Sequence, residues 1–241
     1  MIGSILSIGD FIAGLVGIRP EKLLRVCTVI LRDEKGNSIA ATPDVVAALQ
    51  LACDVYKRDA NVRIIPLQWF KYTTGFLGSE TVDETWIKVD DSSSDSDLLD
   101  QPCNAGGEWW LSGTKFQAKV TGSCFYGAWR RVTGYGAPVA VFIVRSVPGA
   151  GGCCLWITDY ATVAAGTVDP ANAFYGPRVI GHENGHACNL GHVCVDDDVR
   201  NLMAVGRACS PSSTTLPDRI DPRMSNWQVL LVRASKHVTY F

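Results

Sequence analysis

The sequence predicts an α+β domain whose N-terminal part is α/β-like. Three observations carry that expectation. A strand–helix–strand pattern fills residues 25–65, and at those lengths it implies a right-handed parallel crossover. An almost unbroken apolar run, Pro138-Val139-Ala140-Val141-Phe142-Ile143-Val144, has the pattern of a strand covered on both faces. Farther on, a histidine-bearing helical stretch over 179–192 is followed by irregular chain and a last capped helix. The 241 residues suffice for one generous domain or for two small subdomains around a cleft, and 47 % hydrophobic content supports a packed core.

Residues 1–18 are apolar, carry Asp10 and four glycines, and have no basic residue before Arg19. Apolar positions at 1, 5, 8, 12 and 15 fit a short amphipathic helix. Residues 1–22 therefore read as a helix packed on the domain or as an apolar leader. As a leader they would serve a non-standard export route, touch a membrane transiently, or form a short pro-piece. Arg25-Val26-Cys27-Thr28-Val29-Ile30-Leu31-Arg32 is β-branched and ends in the turn-rich segment 33–38, as a strand does. Thr42-Pro43-Asp44 opens a helix with Thr as N-cap, Pro at N1 and an acid in the first turn. Its expected buried stripe is Val46, Leu49, Cys53 and Tyr56, which makes Cys53 a core residue. Val62-Arg63-Ile64-Ile65 is the second strand.

Residues 69–138 are less regular. The acids of Lys88–Asp97 are of the kind that binds Ca2+, but the segment lacks the Gly and distal Glu of an EF-hand loop, so a solvated loop is expected. Trp109, Trp110 and Trp129 are expected core anchors. Cys154–Val163 reads as a strand just before the histidine helix, which Gly176-Pro177 precede. The last helix is expected to open at Asp221-Pro222 and to bury Met224, Trp227, Leu231 and Ala234. His237 lies beyond it and is not an expected ligand.

Net charge is −2 and no basic run occurs, which excludes a nucleic-acid partner. No segment is long and apolar enough to span a bilayer, and a monomer is expected. Nine cysteines without a CxxC pair favour an oxidising destination with some disulfides over a zinc knuckle. The expected pairs are Cys103 with Cys124, and Cys194 with Cys188 or Cys209.

The chain has four histidines, and three lie in His182-Glu183-Asn184-Gly185-His186-Ala187-Cys188-Asn189-Leu190-Gly191-His192. His182 and His186 are one helical turn apart, so their rings project from one face and can grip one metal ion. His192 can return as a third ligand if the helix stops and the chain doubles back. Three neutral nitrogen donors with an open fourth position describe a catalytic Zn2+ rather than a structural one. Glu183 sits where it can take a proton from a zinc-bound water and pass it to a departing amine.

These residues resemble the metzincin clan of zinc metallopeptidases, whose pattern is HExxHxxGxxH followed by a methionine turn. The resemblance implies His182, His186 and His192 as zinc ligands, Glu183 as general base and Met203 as the apolar floor beneath the metal. It implies a twisted mixed sheet with a backing helix and an active-site helix. A smaller irregular C-terminal subdomain would end in a helix. The catalytic domain would span 23–241, divided into 23–191 and 192–241 with the cleft between. It further implies that Thr158 to Ala165, with Thr158, Asp159, Tyr160 and Ala161 at its start, is an edge strand that pairs with extended substrate. Ala204 to Cys209, led by Ala204 and Val205, would wall the pocket past the scissile bond. Three positions depart from the pattern. Asn189 replaces the usual glycine and must take a positive φ in its place. Val193 follows the third histidine and matches none of the best-known subfamilies. Val205 stands where a tyrosine ligand would be.

The expectation is a zinc endopeptidase acting on protein or peptide, secreted and effector- or toxin-like. The rival expectations are an intracellular processing peptidase of narrow specificity and a non-catalytic binding protein stabilised by zinc.

Overall fold

Lys22–Ile30 forms β1, the strand on which the sheet is assembled. The structure is a computed structural model, and it describes residue 17 and residues 19–33, 35, 37–66, 87–89, 99–100, 102–103, 135–155, 159–172, 176–206, 216–218 and 221–240. All but residue 17 of the expected helix within 1–18, all but Lys88 and Val89 of the expected loop 88–97, and Trp109, Trp110, Trp129, Cys124, Thr158 and Cys209 lie outside the described residues; Lys88 and Val89 belong to a strand. The N-terminal half of β1 pairs in parallel with β2 (Val62–Pro66), and its C-terminal half with β3 (Ile87–Val89). β4 (Val139–Val144) runs parallel to residues 26–30, and β9 (Val238–Thr239) antiparallel to residues 23–24. β6 (Tyr160–Ala164) lies parallel beside β4, and β5 (Gly152–Cys153) pairs antiparallel with β6. The fold is thus mixed α+β, with a parallel centre and an antiparallel strand at one edge.

The core follows from the pleat. Every residue of β4 is buried, as its unbroken apolar run predicts. Val139, Val141 and Ile143 face one way, onto α1 (Thr42–Ala60), α2 (Val179–Ala187) and α3 (Asn226–Ala234). Ala140, Phe142 and Val144 face the other way, onto Cys27, Val29, Leu99 and Tyr160. β1 and β2 are parallel with α1 between them, as the crossover requires.

Two helices differ from expectation in how they are turned. The N-cap of α1 is Ala41 and no side chain caps it. Its buried face is Val45, Ala48, Leu49, Ala52, Val55, Tyr56 and Ala60, which keeps Leu49 and Tyr56 of the expected stripe and leaves Val46 and Cys53 half-buried. The reason is close packing of helices: a Cβ on Gly181 of α2 would stand 3.4 Å from that of Ala52, so small residues face small residues. Cys53 is left half-buried, with its thiol pushed up to about 12 by burial. α3 starts later than Asp221-Pro222, at a capping box in which Ser225 and Gln228 satisfy each other's backbone N–H groups. Its buried face is Gln228, Val229, Leu230, Val232 and Arg233, while Trp227 is 59 % exposed. The polar members face inward because they meet backbone groups: Arg233 donates to Ala60 O at 2.8 Å and Pro20 O at 2.9 Å.

Two further expectations are corrected. The outer strand is β5, not β6: β4 runs along the whole of β6, β5 pairs with its Thr162 and Val163, and Tyr160 and Ala161 pair with β4. The chain doubles back through a tight turn at Gly149, φ 81°, so one more short strand is laid outside β6. Cys103 pairs with Cys153, not Cys124. The segment ending at Cys103 is held beside β4 by Asp100, which accepts from Arg145 at 2.9 Å and from Ser146 Oγ at 2.7 Å. That brings the two Cα atoms to 5.3 Å, within bridging range. Cys27 is disulfide-bonded as well. Cys188 is a buried free thiol, so the expected pair with Cys194 does not form. No helix among the described residues is long and apolar enough to cross a membrane.

The Cys103–Cys153 bond spans 50 positions of sequence and anchors the edge strand. Cys103→Ser is expected to lower unfolding free energy by about 2–5 kcal/mol, read from the denaturant midpoint under non-reducing conditions. An unchanged midpoint would show that the edge strand needs no such anchor.

Candidate metal centre

Helix α2 begins after a 3-10 turn, Gly176–Arg178, and is buried along almost its whole length. His182 and His186 project from one face, with ring centroids 4.8 Å apart. The helix ends in a paired closure: Asn189 N–H donates to His186 O and Leu190 N–H to Gly185 O, both at 2.9 Å. Asn189 takes the left-handed conformation this closure needs, φ 67°. It does the work of a glycine, as expected from its place in the motif. The reversed chain then carries His192 back, placing its Nε2 3.0 Å from that of His186.

The tautomers follow from the neighbours. His182 Nδ1 lies 3.0 Å from Leu202 O, and His186 Nδ1 lies 2.8 Å from Leu190 O. A carbonyl only accepts, so each Nδ1 carries the hydrogen and each Nε2 presents a lone pair. Those Nε2 atoms are 3.2 Å apart. Two lone pairs at that distance repel unless a cation lies between them. Around a tetrahedral ion with bonds of ~2.0–2.1 Å, neighbouring nitrogens stand about 3.3 Å apart. Burial holds His182 well below its ordinary pKa, helped by His186 and Arg178. Burial also lowers His186, to about 4, and lowers His192. The rings are therefore neutral at pH 7, the form that binds metal. The three nitrogens lie close enough to hold one metal ion, and the cluster runs from buried His182 to exposed His192. Among the described residues no other such group occurs.

Glu183 is only 4 % exposed. Burial pushes its carboxyl up to about 8, against the opposing pull of Arg178. Its Oε2 is buried with no hydrogen-bond partner among the described residues. A native fold rarely keeps such an atom without a use.

The third wall is the turn over 201–204. Met203 is fully buried and packs on α2 at Gly185, where a Cβ would fall 2.5 Å from the methionine sulfur. Met203 thus lies beneath the turn that carries His186. β7 (Val193–Cys194) pairs in parallel with β8 (Ala204–Val205), which ties the residue after His192 to the residue after Met203. Asn201 braces the turn through its side chain, accepting from Met203 N at 2.9 Å. A two-way amide pair with Gln228, at 3.1 and 2.9 Å, fixes Asn201 in turn. Buried Arg178 donates to the carbonyls of Asn201, Leu202 and Ala204. Leu202 O therefore accepts from both Arg178 and His182.

Of the other expected site residues, Tyr160 and Ala161 are buried within the sheet, and Asp159 is bonded to Lys236 at 2.8 Å. Ala204 and Val205 lie in β8, beside the strand that follows His192. His237 is buried elsewhere, its Nδ1 on Ala137 O at 2.8 Å. Arg178, Asn201, Gln228 and Gly152 are not among the expected site residues. Only Gln228 carried a usable signal, since Ser225-Asn226-Trp227-Gln228 is a capping-box pattern.

Two expectations can be measured. Arg178→Lys replaces a planar fork by a single ammonium and cannot hold three carbonyls in the same geometry. Metal affinity, titrated against a chelator, should fall about 10-fold or more; an unchanged affinity would remove Arg178 from the support of the site. In the metal-free chain, Glu183 ionises at about 8 when folded and near 4.5 when unfolded. The fold holds this proton more tightly, so stability is lost as pH rises through that window. Glu183→Gln should therefore melt above wild type at pH 8, with the gap closing toward pH 4.5. A gap independent of pH would exclude the buried charge as its cause.

Comparison with known proteins leaves the site to be judged on its own geometry: no protein-family model matches the chain, and no curated protein matches it.

Proposed function

We propose that the protein is a zinc-dependent endopeptidase of metzincin type. One observation carries the reading: three neutral imidazole nitrogens converge next in sequence to a buried carboxylate with an oxygen unpartnered among the described residues. The donor set fits zinc. Three imidazole nitrogens, with His186 Nε2 3.2 and 3.0 Å from the other two, suit a borderline-soft ion, whereas calcium and magnesium take oxygen donors. His182, His186 and His192 would hold the ion. When bound, zinc supplies Lewis acidity, acidifying a water and polarising a carbonyl.

The chain's own residues account for the rest. Glu183 Oε2 would take the proton of the attacking water and return it to the amine that leaves. Leu202 and Leu190 carbonyls orient the two helical imidazoles, and Met203 closes the floor. Among the described residues β5 pairs on one side only, so an extended peptide can add to Gly152–Cys153 as a further strand. The Cys103–Cys153 disulfide supports a secreted protein over an intracellular processing enzyme. A zinc-stabilised binding protein is disfavoured by Glu183, whose buried charge costs stability and serves no structural partner among the described residues.

The test is zinc content and proteome-wide cleavage for wild type and Glu183→Ala. Both should bind one zinc. Glu183→Ala should lose about 10²–10⁴-fold in cleavage rate. Equal cleavage patterns, or none from zinc-loaded wild type, would reject a peptidase.

A further inference from the structure

Gly152 sits in the edge strand with its backbone against the side chain of Glu183. A Cβ at Gly152 would fall 2.5 Å from Glu183 Oε1, 2.7 Å from Cδ and 2.8 Å from Cγ. Carbon atoms pack at about 3.5–4.0 Å, so no side chain fits there without displacing the glutamate. The backbone does not demand a glycine, because Gly152 is not among the residues with positive φ. Glycine weakens a strand interior, and close approach of another group is a common reason for it. Here the group approached is the carboxylate proposed to move the proton.

The strand is also held firmly at this point. Gly151 O accepts from Ala164 N at 3.0 Å and from Thr167 Oγ1 at 2.9 Å. Gly152 is in register with Val163, and Cys153 is bonded to Cys103. A side chain at 152 would therefore move Glu183 rather than the strand. The three atoms nearest that Cβ position all belong to Glu183.

We propose that Gly152 is a positioning residue for Glu183: the strand backbone stops Oε1 and leaves Oε2 aimed at the reacting water. Its catalytic consequence rests on the peptidase reading, but the contact itself does not. A residue at 152 larger than glycine would separate metal binding from hydrolysis.

The first test needs no activity. Melting temperatures of metal-free wild type, Gly152→Ala, Glu183→Ala and the double variant form a cycle. Gly152→Ala should lower the melting temperature in the wild-type background. In the Glu183→Ala background the loss should vanish or reverse, since the opposing side chain is gone. Equal losses in both backgrounds would overturn the contact. The second test loads the same proteins with zinc. Gly152→Ala should bind zinc as wild type does, yet lose about 10²-fold or more in kcat with KM little changed. Glu183→Asp, which retracts the carboxylate by one methylene, should make the Gly152→Ala loss smaller. Unchanged kcat in Gly152→Ala would overturn the positioning role. A wild type that binds zinc without cleaving peptides would overturn the peptidase reading, while the melting cycle still decides the contact.

Discussion

His186 Nε2 stands 3.2 Å from His182 Nε2 and 3.0 Å from His192 Nε2, and the two helical rings, with no proton to share, repel in the absence of a cation. Everything around α2 keeps them there regardless. One carbonyl per helical histidine fixes the tautomer, a left-handed asparagine reverses the chain, and a short parallel pairing holds the reversed chain against the methionine turn. The site is preorganised against its own electrostatics, and a metal ion would relieve the strain.

Leu202 O is the centre of that support. It accepts from His182, which fixes the ligand, and from Arg178, which fixes the turn. Arg178 is the residue just before α2, so the start of the ligand helix and the turn beneath its end are joined through one buried guanidinium. Asn201 and Gln228 extend the link to α3, and the capping box that starts α3 shares the same Gln228 side chain. The C-terminal helix therefore supports the site although none of its residues is an expected ligand.

Burial of Glu183 works against folding. Its neighbours are the backbone of Gly152 on one side and the positive field of Arg178 on the other, and neither gives Oε2 a hydrogen bond. Such groups persist where a reaction uses them and the surrounding structure overrides their cost. The disulfide at Cys153 and the hydrogen bonds of Gly151 are part of what overrides it.

The three-histidine cluster, the turn at Asn189 and the strand buried on both faces were legible in the sequence. Each is written in local spacing: four residues between helical histidines, a glycine-like residue at a helix end, an unbroken apolar run. The rotation of α1 and α3, the partner of Cys103, the strand at the edge and the roles of Arg178 and Gly152 were not. These depend on what lies opposite, and an arginine among apolar neighbours reads the same whether it meets solvent or three carbonyls. The sequence alone determined which atoms can meet a metal, because helical periodicity places them. Only the tertiary structure decided which strand reaches Glu183, because a glycine's missing side chain has meaning only against the group that fills its space.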